Sequence, residues 1–319
     1  MGLTATIIDK ERVDDQREDF FNDLKKDLEN HSDGPAYHYT PRSDQAGIDL
    51  DDIDMDLDRL EEKVDGRLDR EEPSLLRMRV EPSDDVEFEE GQFIGFQYER
   101  EQDDRPLVRQ YSIANSYDDY QETGEIELFV KLVEDGRFTP ELFDMDEGTT
   151  LDMMPPAGHF TMDDNENDRV MISTGTGAAP FVSMVDAMYD VPDADDIQDD
   201  HEQDSWLVYG TRWEDDLGYK DEFDAIDEAY DSFHFVPTLS AEPDWDGERD
   251  YVQEVVRQRV EDGTFDDDTE YYICGLGEMV GYTAQMLTGN QVDGADEIPD
   301  EQTLDDPIDP DNVNFELYS

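Results

Sequence analysis

The pattern of hydrophobic and polar positions divides most of this chain into two regions. Over residues 73–163, short runs of alternating apolar and polar side chains are separated by turn residues, which predicts an antiparallel β-barrel. These runs read LLRMRVEP, GQFIGFQYE, RQYSIAN, IELFVKLV and TLDMMPP. Over residues 168–319, strand-like runs such as RVMISTG, SWLVYG and YYICG alternate with amphipathic runs of helical period. That alternation predicts an α/β domain with a parallel sheet and helices on both faces.

The first 72 residues follow neither pattern throughout. TATIID, within residues 1–13, alternates well enough to predict a first strand of the barrel. Residues 14–72 are dense in charge, but segments 17–30 and 52–68 place apolar residues at helical spacing. We interpret residues 14–72 as an acidic helical insertion packed on a domain surface. A disordered acidic arm is an equally open alternative.

The charge of the chain changes this picture more than its length does. The 319 residues include 90 acidic and 23 basic side chains, a formal net charge of -67. Such a chain repels itself in dilute buffer, whereas molar salt shortens the Debye length to about 3 Å and screens the repulsion. The surface therefore predicts adaptation to a very salty cytoplasm. Because 36% of the residues are apolar and fall into periodic runs, a folded protein is favoured over a disordered chain or an acidic decoy.

Several classes of protein are not expected from this composition. Nucleic-acid binding needs a basic stripe, and none is visible. The longest uncharged run, Val170 to Val185, has 16 residues and is shorter than the roughly 20 needed to span a bilayer. No export signal is visible at the N-terminus, so a cytoplasmic location is expected. The single cysteine, Cys274, excludes internal disulfides and iron-sulfur clusters held by cysteines of this chain, and no metal site is expected.

Candidate chemistry follows the predicted parallel strands, because ligands gather at the carboxyl ends of such strands. STGTGAAPF, residues 173–181, joins the first of these strands to a helix, and Gly175 and Gly177 would let a pyrophosphate approach the backbone. A glycine turn required only by geometry is an equally open alternative. The turn lacks the lysine of a phosphate-binding P-loop, which argues against phosphoryl transfer.

Two further strand ends carry unusual side chains. YGTRWEDDLGYKDEF, residues 209–223, holds Arg212 and Lys220, which could bind a ribose or a 2′-phosphate. The alternative is that both cations pair with neighbouring carboxylates. ICGLGEMV, residues 273–280, brings Cys274 and Gly275 to the same edge, although a lone buried cysteine usually acts as a small hydrophobic residue.

Taken in order, six segments resemble the ferredoxin-NADP reductase family over residues 73–319. They are RQYSIAN, VEDGRFT, STGTGAAPF, VYGTR with DLGYKDEF, ICGLGEM and the terminal FELY. The resemblance implies an FAD-binding barrel followed by a Rossmann-like NAD(P)-binding domain. With the acidic surface, it predicts a member of this family from a halophilic archaeon.

The resemblance also implies roles for residues in the barrel. Arg109 would bind the FAD pyrophosphate, Tyr111 would pack against the isoalloxazine, and Ser112 would hydrogen-bond the flavin N5 atom. Gly136 and Thr139 would cradle the same pyrophosphate. One short strand must then neutralise a phosphate, present an aromatic ring and offer a hydroxyl, which explains why these three residue types are adjacent.

In the second domain, the resemblance implies a pyridine-nucleotide site. Its pyrophosphate would lie at four consecutive residues, Thr174, Gly175, Thr176 and Gly177. Cys274 and Gly275 would lie near the nicotinamide, and Tyr318 resembles a terminal aromatic that covers the other face of the flavin. A free tail is the alternative for Tyr318.

The choice of coenzyme and partner depends on departures from the family pattern. Many NADPH-dependent members carry an arginine after the serine of the third strand, but this chain has Ala241 there. Arg212, with Lys220 or Arg249, is left to hold a 2′-phosphate, so NADP is preferred and NAD is possible. Since the chain cannot ligate a cluster through cysteines, a separate ferredoxin or similar one-electron carrier is expected.

Three functions remain to be weighed. The first is hydride transfer between NADPH and FAD with single electrons passing to or from ferredoxin. The second is an NADH-linked flavin reductase, or diaphorase, serving a cytochrome or quinone acceptor. The third, of another class, is a non-catalytic acidic interaction protein.

Overall fold

Two sheets, one antiparallel and one parallel, form the framework of this protein. The structure, a computed structural model, describes residues 2–13, 75–98, 106–133, 136–163, 165–189, 201–240, 245–265, 268–299 and 302–318. The acidic insertion predicted over residues 14–72 lies outside the described residues.

The antiparallel sheet has six strands in the order β4-β3-β6-β1-β2-β5. They are β1 (Thr4–Arg12), β2 (Leu75–Pro82), β3 (Phe93–Tyr98), β4 (Leu107–Ser112), β5 (Ile126–Lys131) and β6 (Thr150–Ala157). A bridge between Ile113 and Leu128 joins the two outer strands and closes the sheet into a barrel. Helix α1 (Tyr117–Thr123) connects β4 to β5, and helix α2 (Thr139–Asp144) connects β5 to β6.

Alternation along the strands fills the barrel and leaves a second set of side chains on its outside. Ile94 and Phe96 of β3 point inward and are fully buried. On β5, the inward residues Ile126, Leu128 and Val130 alternate with Glu127 and Phe129, which face outward. The second domain covers this outer face of β5.

The parallel sheet has five strands in the order β11-β10-β7-β8-β9. They are β7 (Arg169–Thr174), β8 (Ser205–Thr211), β9 (Phe233–Leu239), β10 (Glu270–Leu276) and β11 (Val313–Tyr318). The chain moves outward from β7 through β8 to β9, then returns to place β10 on the other side of β7. The strand order therefore switches direction between β7 and β10, where such sheets open a ligand crevice at the carboxyl ends.

Helices pack on both faces of the parallel sheet and define two apolar cores. One face is covered by α3 (Ala179–Met188) and α4 (Lys220–Ala229), the other by α5 (Val252–Glu261) and α6 (Gly277–Thr288). The first core also contains Leu75, Phe129 and Phe160 from the barrel region, so the hydrophobic packing is continuous across the domain interface. No helix within the described ranges has the length and apolar character to cross a bilayer.

The terminal segment FELY is not a free tail but part of a strand. It belongs to β11, which pairs in parallel with β10 along its whole length, from Tyr271 opposite Val313 to Leu276 opposite Tyr318. Pairing satisfies backbone groups that an open edge of β10 would otherwise leave to solvent. The backbone at Tyr318 is thereby fixed at the carboxyl edge of the sheet.

Candidate functional site

Strand β4 carries the three residues expected at the flavin. Arg109 lies opposite Phe96 and Tyr111 lies opposite Ile94, so both side chains project from the same face of the strand. The Tyr111 ring packs 5.9 Å from Phe96 between ring centroids, and its hydroxyl is buried without a hydrogen-bond partner among the described residues. Burial raises the pKa of Tyr111, opposed by the nearby Arg109 charge. Ser112 ends the strand and is 5% exposed.

The turn before α2 packs against this strand. The Phe138 ring lies 6.4 Å from the Tyr111 ring, which brings Gly136 and Thr139 to the same end of the barrel. The Gly136 N–H donates to the Val133 carbonyl at 2.7 Å, and a Cβ at Gly136 would lie 2.6 Å from that oxygen. The Thr139 hydroxyl accepts from the Val133 N–H at 3.0 Å. Gly136 and Thr139 therefore stabilise the conformation of the turn before α2, independently of any ligand.

Two turns interlock at the switch point of the parallel sheet. A Cβ on Gly177 would lie 2.4 Å from the Cα atom of Gly275, so only glycine allows this approach. Gly275 itself has a φ of 149°, and the Thr174 hydroxyl oxygen accepts from the Leu276 N–H at 3.4 Å. At Gly175 an added Cβ would meet no atom within 4 Å. Together with Thr176, these residues make a turn with one rigid side and one open side.

The open side of this turn has the character of an anion site. A short 3-10 helix, Gly175–Ala178, begins directly after β7 and leads into α3. The first amides of a helix lack intrahelical acceptors and point outward from its N-terminus. They favour phosphate groups, and the open space at Gly175 allows a pyrophosphate to approach them.

Cys274 lies where the sequence placed it along the strand, but its side chain is fully buried. It packs in the apolar core shared with Phe160, Phe181 and Tyr272. Its position next to Gly275 lies near the carboxyl end of β10. The burial also fits the alternative that the thiol acts as a small hydrophobic residue.

Glu316 is a residue that sequence reasoning missed. It is the register partner of Cys274 in neighbouring parallel strands, so both side chains project from one face of the sheet. Its Oε2 atom is buried and has no hydrogen-bond partner in the described structure, and this burial raises the pKa of the carboxyl. A strand interpretation of VNFELY would have placed residues 314, 316 and 318 on one face and signalled Glu316.

The two expected cations near the coenzyme site have different surroundings. Arg212 directly follows β8, is exposed, and forms no ion pair with any residue that the structure describes. The Ser240 N–H donates to the Thr211 carbonyl at 3.0 Å, which places the end of β9 beside Arg212. Arg212 and Ser240 therefore lie together at the carboxyl edge.

Lys220, in contrast, is held by carboxylates. Its Nζ atom lies 2.6 Å from Asp224 and 3.8 Å from Glu214. Burial acts to lower the pKa of Lys220, but the hydrogen bond and the charges of these carboxylates outweigh burial and raise it. The pairing considered as the alternative for this lysine is thus what the structure contains.

The site as a whole fits two dinucleotides. The buried Tyr111 hydroxyl, unpartnered within the described residues, and the adjacent Arg109 fit a polar aromatic ligand with a phosphate at the barrel. The interlocked turns at Gly177 and Gly275 fit a second pyrophosphate at the sheet edge. Within the described ranges, no group of three or more histidine, cysteine, aspartate or glutamate side chains is placed to hold a metal ion.

Comparison with known proteins assigns both domains to recognised families. Residues 71–162 match the family described as oxidoreductase FAD-binding domain, and residues 171–285 match oxidoreductase NAD-binding domain. The protein is therefore a two-domain FAD- and NAD(P)-binding oxidoreductase. The chain is 31% identical over 188 residues to ferredoxin-NADP reductase B of Sorangium cellulosum, covering 57% of this chain and 72% of that protein. It belongs to the ferredoxin-NADP reductase family.

Other similar proteins show the breadth of this family. One component of the Na⁺-translocating NADH-quinone reductase of Idiomarina loihiensis is 28% identical, over 58% of this chain and 46% of that component. The chain thus spans about half the length of that relative. The ferredoxin NADP⁺ reductase of Neisseria gonorrhoeae, solved with bound FAD and NADP, has a TM-score of 0.54 at 22% identity. That match covers 66% of this chain and 83% of the solved one, and it supports the fold.

Proposed function

We propose that this protein transfers hydride between NADPH and FAD and exchanges single electrons with a ferredoxin or a similar carrier. The main support is the path of the chain after Ser112. Ala114, two residues later, packs in the interdomain core with Ala178 and Val182, which belong to the helical segment that starts at the Gly175 turn. The proposed flavin strand and the proposed nucleotide turn are therefore parts of one packed unit.

Each site residue has a role that its surroundings support. Bound FAD would supply the redox chemistry, accepting or donating a hydride and passing electrons singly. Arg109 neutralises phosphate charge, Tyr111 offers a ring face, and Ser112 offers a hydroxyl from a position shielded from water. Glu316, whose Oε2 atom is buried and whose pKa is raised by that burial, would lie beside the nicotinamide position inferred for Cys274.

Coenzyme choice is assigned to Arg212. Its guanidinium is exposed and unpaired within the described structure, and it lies beside Ser240 at the sheet edge. A 2′-phosphate would find there a charge-assisted donor, whereas Lys220 would first have to leave Asp224 and Glu214. We therefore assign the 2′-phosphate of NADPH to Arg212 and Ser240.

The test is an anaerobic titration of the purified protein in molar salt with NADPH and then NADH, followed by kcat/KM for each. A yellow protein whose flavin is bleached more efficiently by NADPH is expected. Arg212→Gln should lower kcat/KM for NADPH by about ten-fold or more, since a hydrogen bond to a charged group contributes about 1.5–3 kcal/mol. The value for NADH should stay unchanged, and the control Lys220→Gln should affect NADPH much less.

Two results would contradict this proposal. A colourless protein that takes up no FAD would remove the flavin function. A wild-type preference for NADH would favour the second candidate, an NADH-linked flavin reductase serving a quinone or cytochrome. That candidate is supported by the similarity to a component of an NADH-quinone reductase. A non-catalytic role has no support in a chain that belongs to a family of oxidoreductases.

The proposed carrier must dock on a very acidic protein. At a net charge of -67, a carrier of the same sign would be repelled in dilute buffer, and molar salt would screen that repulsion. We therefore place the protein in the salt-rich cytoplasm of a halophilic archaeon. Docking would then depend on apolar contacts more than on charge steering.

A further inference from the structure

A buried carboxylate, Glu127, lies on the outer face of the barrel at the domain interface. Its side chain is 4% exposed and accepts hydrogen bonds from Arg77 Nε at 2.9 Å and Arg79 Nε at 2.9 Å. Both arginines belong to β2, which pairs with β5. A buried carboxylate is stable only when donors replace the water that it has lost.

The third donor to Glu127 comes from the other domain. The hydroxyl of Tyr219, in the segment between β8 and α4, donates to Glu127 Oε1 at 2.7 Å. Burial and the Glu127 charge raise the pKa of Tyr219, so the phenol keeps the proton that it donates. The Arg77 guanidinium lies 4.1 Å from the centre of the Tyr219 ring and also bonds to Glu222 of α4. The four side chains Arg77, Glu127, Tyr219 and Glu222, which we call the interdomain cluster, thus join the two domains.

The backbone beneath Tyr219 is shaped for this contact. Tyr219 has a φ of 63°, the single positive value among the non-glycine residues described. The left-handed conformation costs about 1–2 kcal/mol for an ordinary residue and persists where surrounding contacts require it. The Tyr219 ring meets Phe129 edge-on at 5.4 Å, and a Cβ on Gly218 would lie 2.5 Å from that phenylalanine. The turn at Gly218 and Tyr219 therefore packs closely against the outer face of β5.

This turn is connected to the proposed coenzyme site. The segment that ends at Tyr219 begins at Arg212, directly after β8. Apolar contacts elsewhere in the interface, such as Phe160 with Phe181 at 5.8 Å, are non-directional and do not fix a rotation. Hydrogen bonds to Glu127 fix the rotation of one domain relative to the other, because their distances and angles tolerate little change.

We infer that the interdomain cluster sets the orientation of the nucleotide domain over the barrel, and that Tyr219 and Glu127 are positioning residues for hydride transfer. This inference rests on the proposed function. Rotation of the domains would remove the Tyr219 donor from Glu127, and such a loss opposes the rotation. Hydride transfer requires the two reacting rings to be held close and in register, and misplacement by about 1 Å can cost about a hundred-fold in rate.

The first test compares Tyr219→Phe with Glu125→Gln in the FAD-loaded protein. Tyr219→Phe keeps the ring beside Arg77 and Phe129 and deletes only the interdomain hydrogen bond. Glu125→Gln removes a carboxylate 3.6 Å from Arg79, wholly within the barrel. At saturating NADPH, Tyr219→Phe should slow flavin reduction by about ten-fold or more, with FAD content and the Kd for NADPH kept within about two-fold. Glu125→Gln should match the wild type.

The second test measures domain orientation without turnover. Cys274 is the sole cysteine and is buried, so spin labels can be attached at Asp84→Cys in the barrel and Asp231→Cys in the nucleotide domain, both exposed positions. The distance distribution between the labels should be narrow in the otherwise unchanged protein and in the Glu125→Gln variant. It should broaden or shift when Tyr219→Phe is added.

The outcomes separate the inference from the proposed function. If NADPH reduces the wild type and Tyr219→Phe changes neither the rate nor the label distances, the inference is overturned and the proposed function stands. If NADPH fails to reduce the wild type, the proposed function falls. The label distances would in that case still decide whether Tyr219 orients the domains.

Discussion

At the scale of single residues, the carboxyl group of Glu316 is a feature that alternation in the last strand would reveal. The group lies beside Cys274 on the face of the sheet turned toward the barrel, and its Oε2 atom is buried without a partner in the described part of the chain. Burial raises its pKa, which means that the folded state holds the proton more tightly than the unfolded chain. A carboxyl pKa that is raised in the folded state has an energetic consequence for folding.

Glu316→Gln is expected to stabilise the protein at neutral pH. A raised carboxyl pKa means that the wild type is most stable below the unfolded-state pKa of about 4.3 and loses stability as pH rises through the folded-state pKa. Glutamine cannot ionise, so its advantage should be present at about pH 7.5 and should disappear near pH 4. The difference in the free energy of unfolding between variant and wild type measures this.

Glu147→Gln is the control for Glu316→Gln, because it removes the same charge from an exposed position. Any gain that comes from lowering the overall negative charge will appear in both variants. An equal gain in the two, or a gain for Glu316→Gln that is independent of pH, would count against a carboxyl whose pKa is raised by folding.

At the scale of elements, the junction of β7 with the helix after it and of β10 with α6 decides the shape of the nucleotide edge. Each turn supplies a glycine where the other turn passes, at Gly177 and Gly275. The sequence shows both glycine-rich turns and the strands before them. It does not show that they touch, because β7 and β10 are about a hundred residues apart along the chain and meet only through the strand order.

Gly177→Ala should destabilise the nucleotide domain. Its Cβ would lie 2.4 Å from the Gly275 Cα atom and 2.5 Å from the Cys274 carbonyl oxygen, both backbone atoms that cannot move aside cheaply. Overpacking of this kind costs typically about 1–3 kcal/mol. Urea unfolding in molar salt, with and without NADPH, would measure the loss of stability and of coenzyme binding.

Gly175→Ala is the comparison for Gly177→Ala, since its Cβ meets nothing within 4 Å. Because the φ at this position is 55°, Gly175→Ala should lower the free energy of unfolding only by the cost of the left-handed backbone, about 1–2 kcal/mol. If Gly177→Ala bound NADPH like the wild type and lost no more stability than Gly175→Ala, the interlocking of the turns would have no energetic importance.

At the scale of the whole molecule, the net charge of -67 acts on every other property. Between about 0.15 M and about 1 M salt, the Debye length falls from about 8 Å to about 3 Å. Repulsion between the carboxylates should therefore fade over this range. The interdomain cluster and the core are less affected because buried pairs are screened much less than exposed ones.

The thermal midpoint is expected to rise by at least about 5 °C between about 0.15 M and 1 M KCl, equivalent to roughly 3 kcal/mol for a protein of this size. Scanning calorimetry of the FAD-loaded protein is the measurement. Sucrose is the control, because it is excluded from protein surfaces but screens no charge. A midpoint that is highest in dilute buffer, or that sucrose raises as much as KCl does, would show that charge repulsion is not what salt relieves.

The sequence by itself determined the class of each domain, the existence of most strands and helices, and the position of the glycine-rich turns after the parallel strands. This was possible because periodicity, glycine turns and rare cations in an acidic chain are local signals. The sequence did not reveal β11 as a strand, because its apolar alternation is short and its pairing with β10 is non-local.

Only the tertiary structure decided which outer surface of the barrel is covered. Alternation places Arg77, Arg79 and Glu127 outside the barrel, where charged residues normally meet water. Docking of the second domain instead buries Glu127 and supplies Tyr219 as its donor. Local patterns carry no information about which faces meet, because that depends on contacts between residues far apart in the chain.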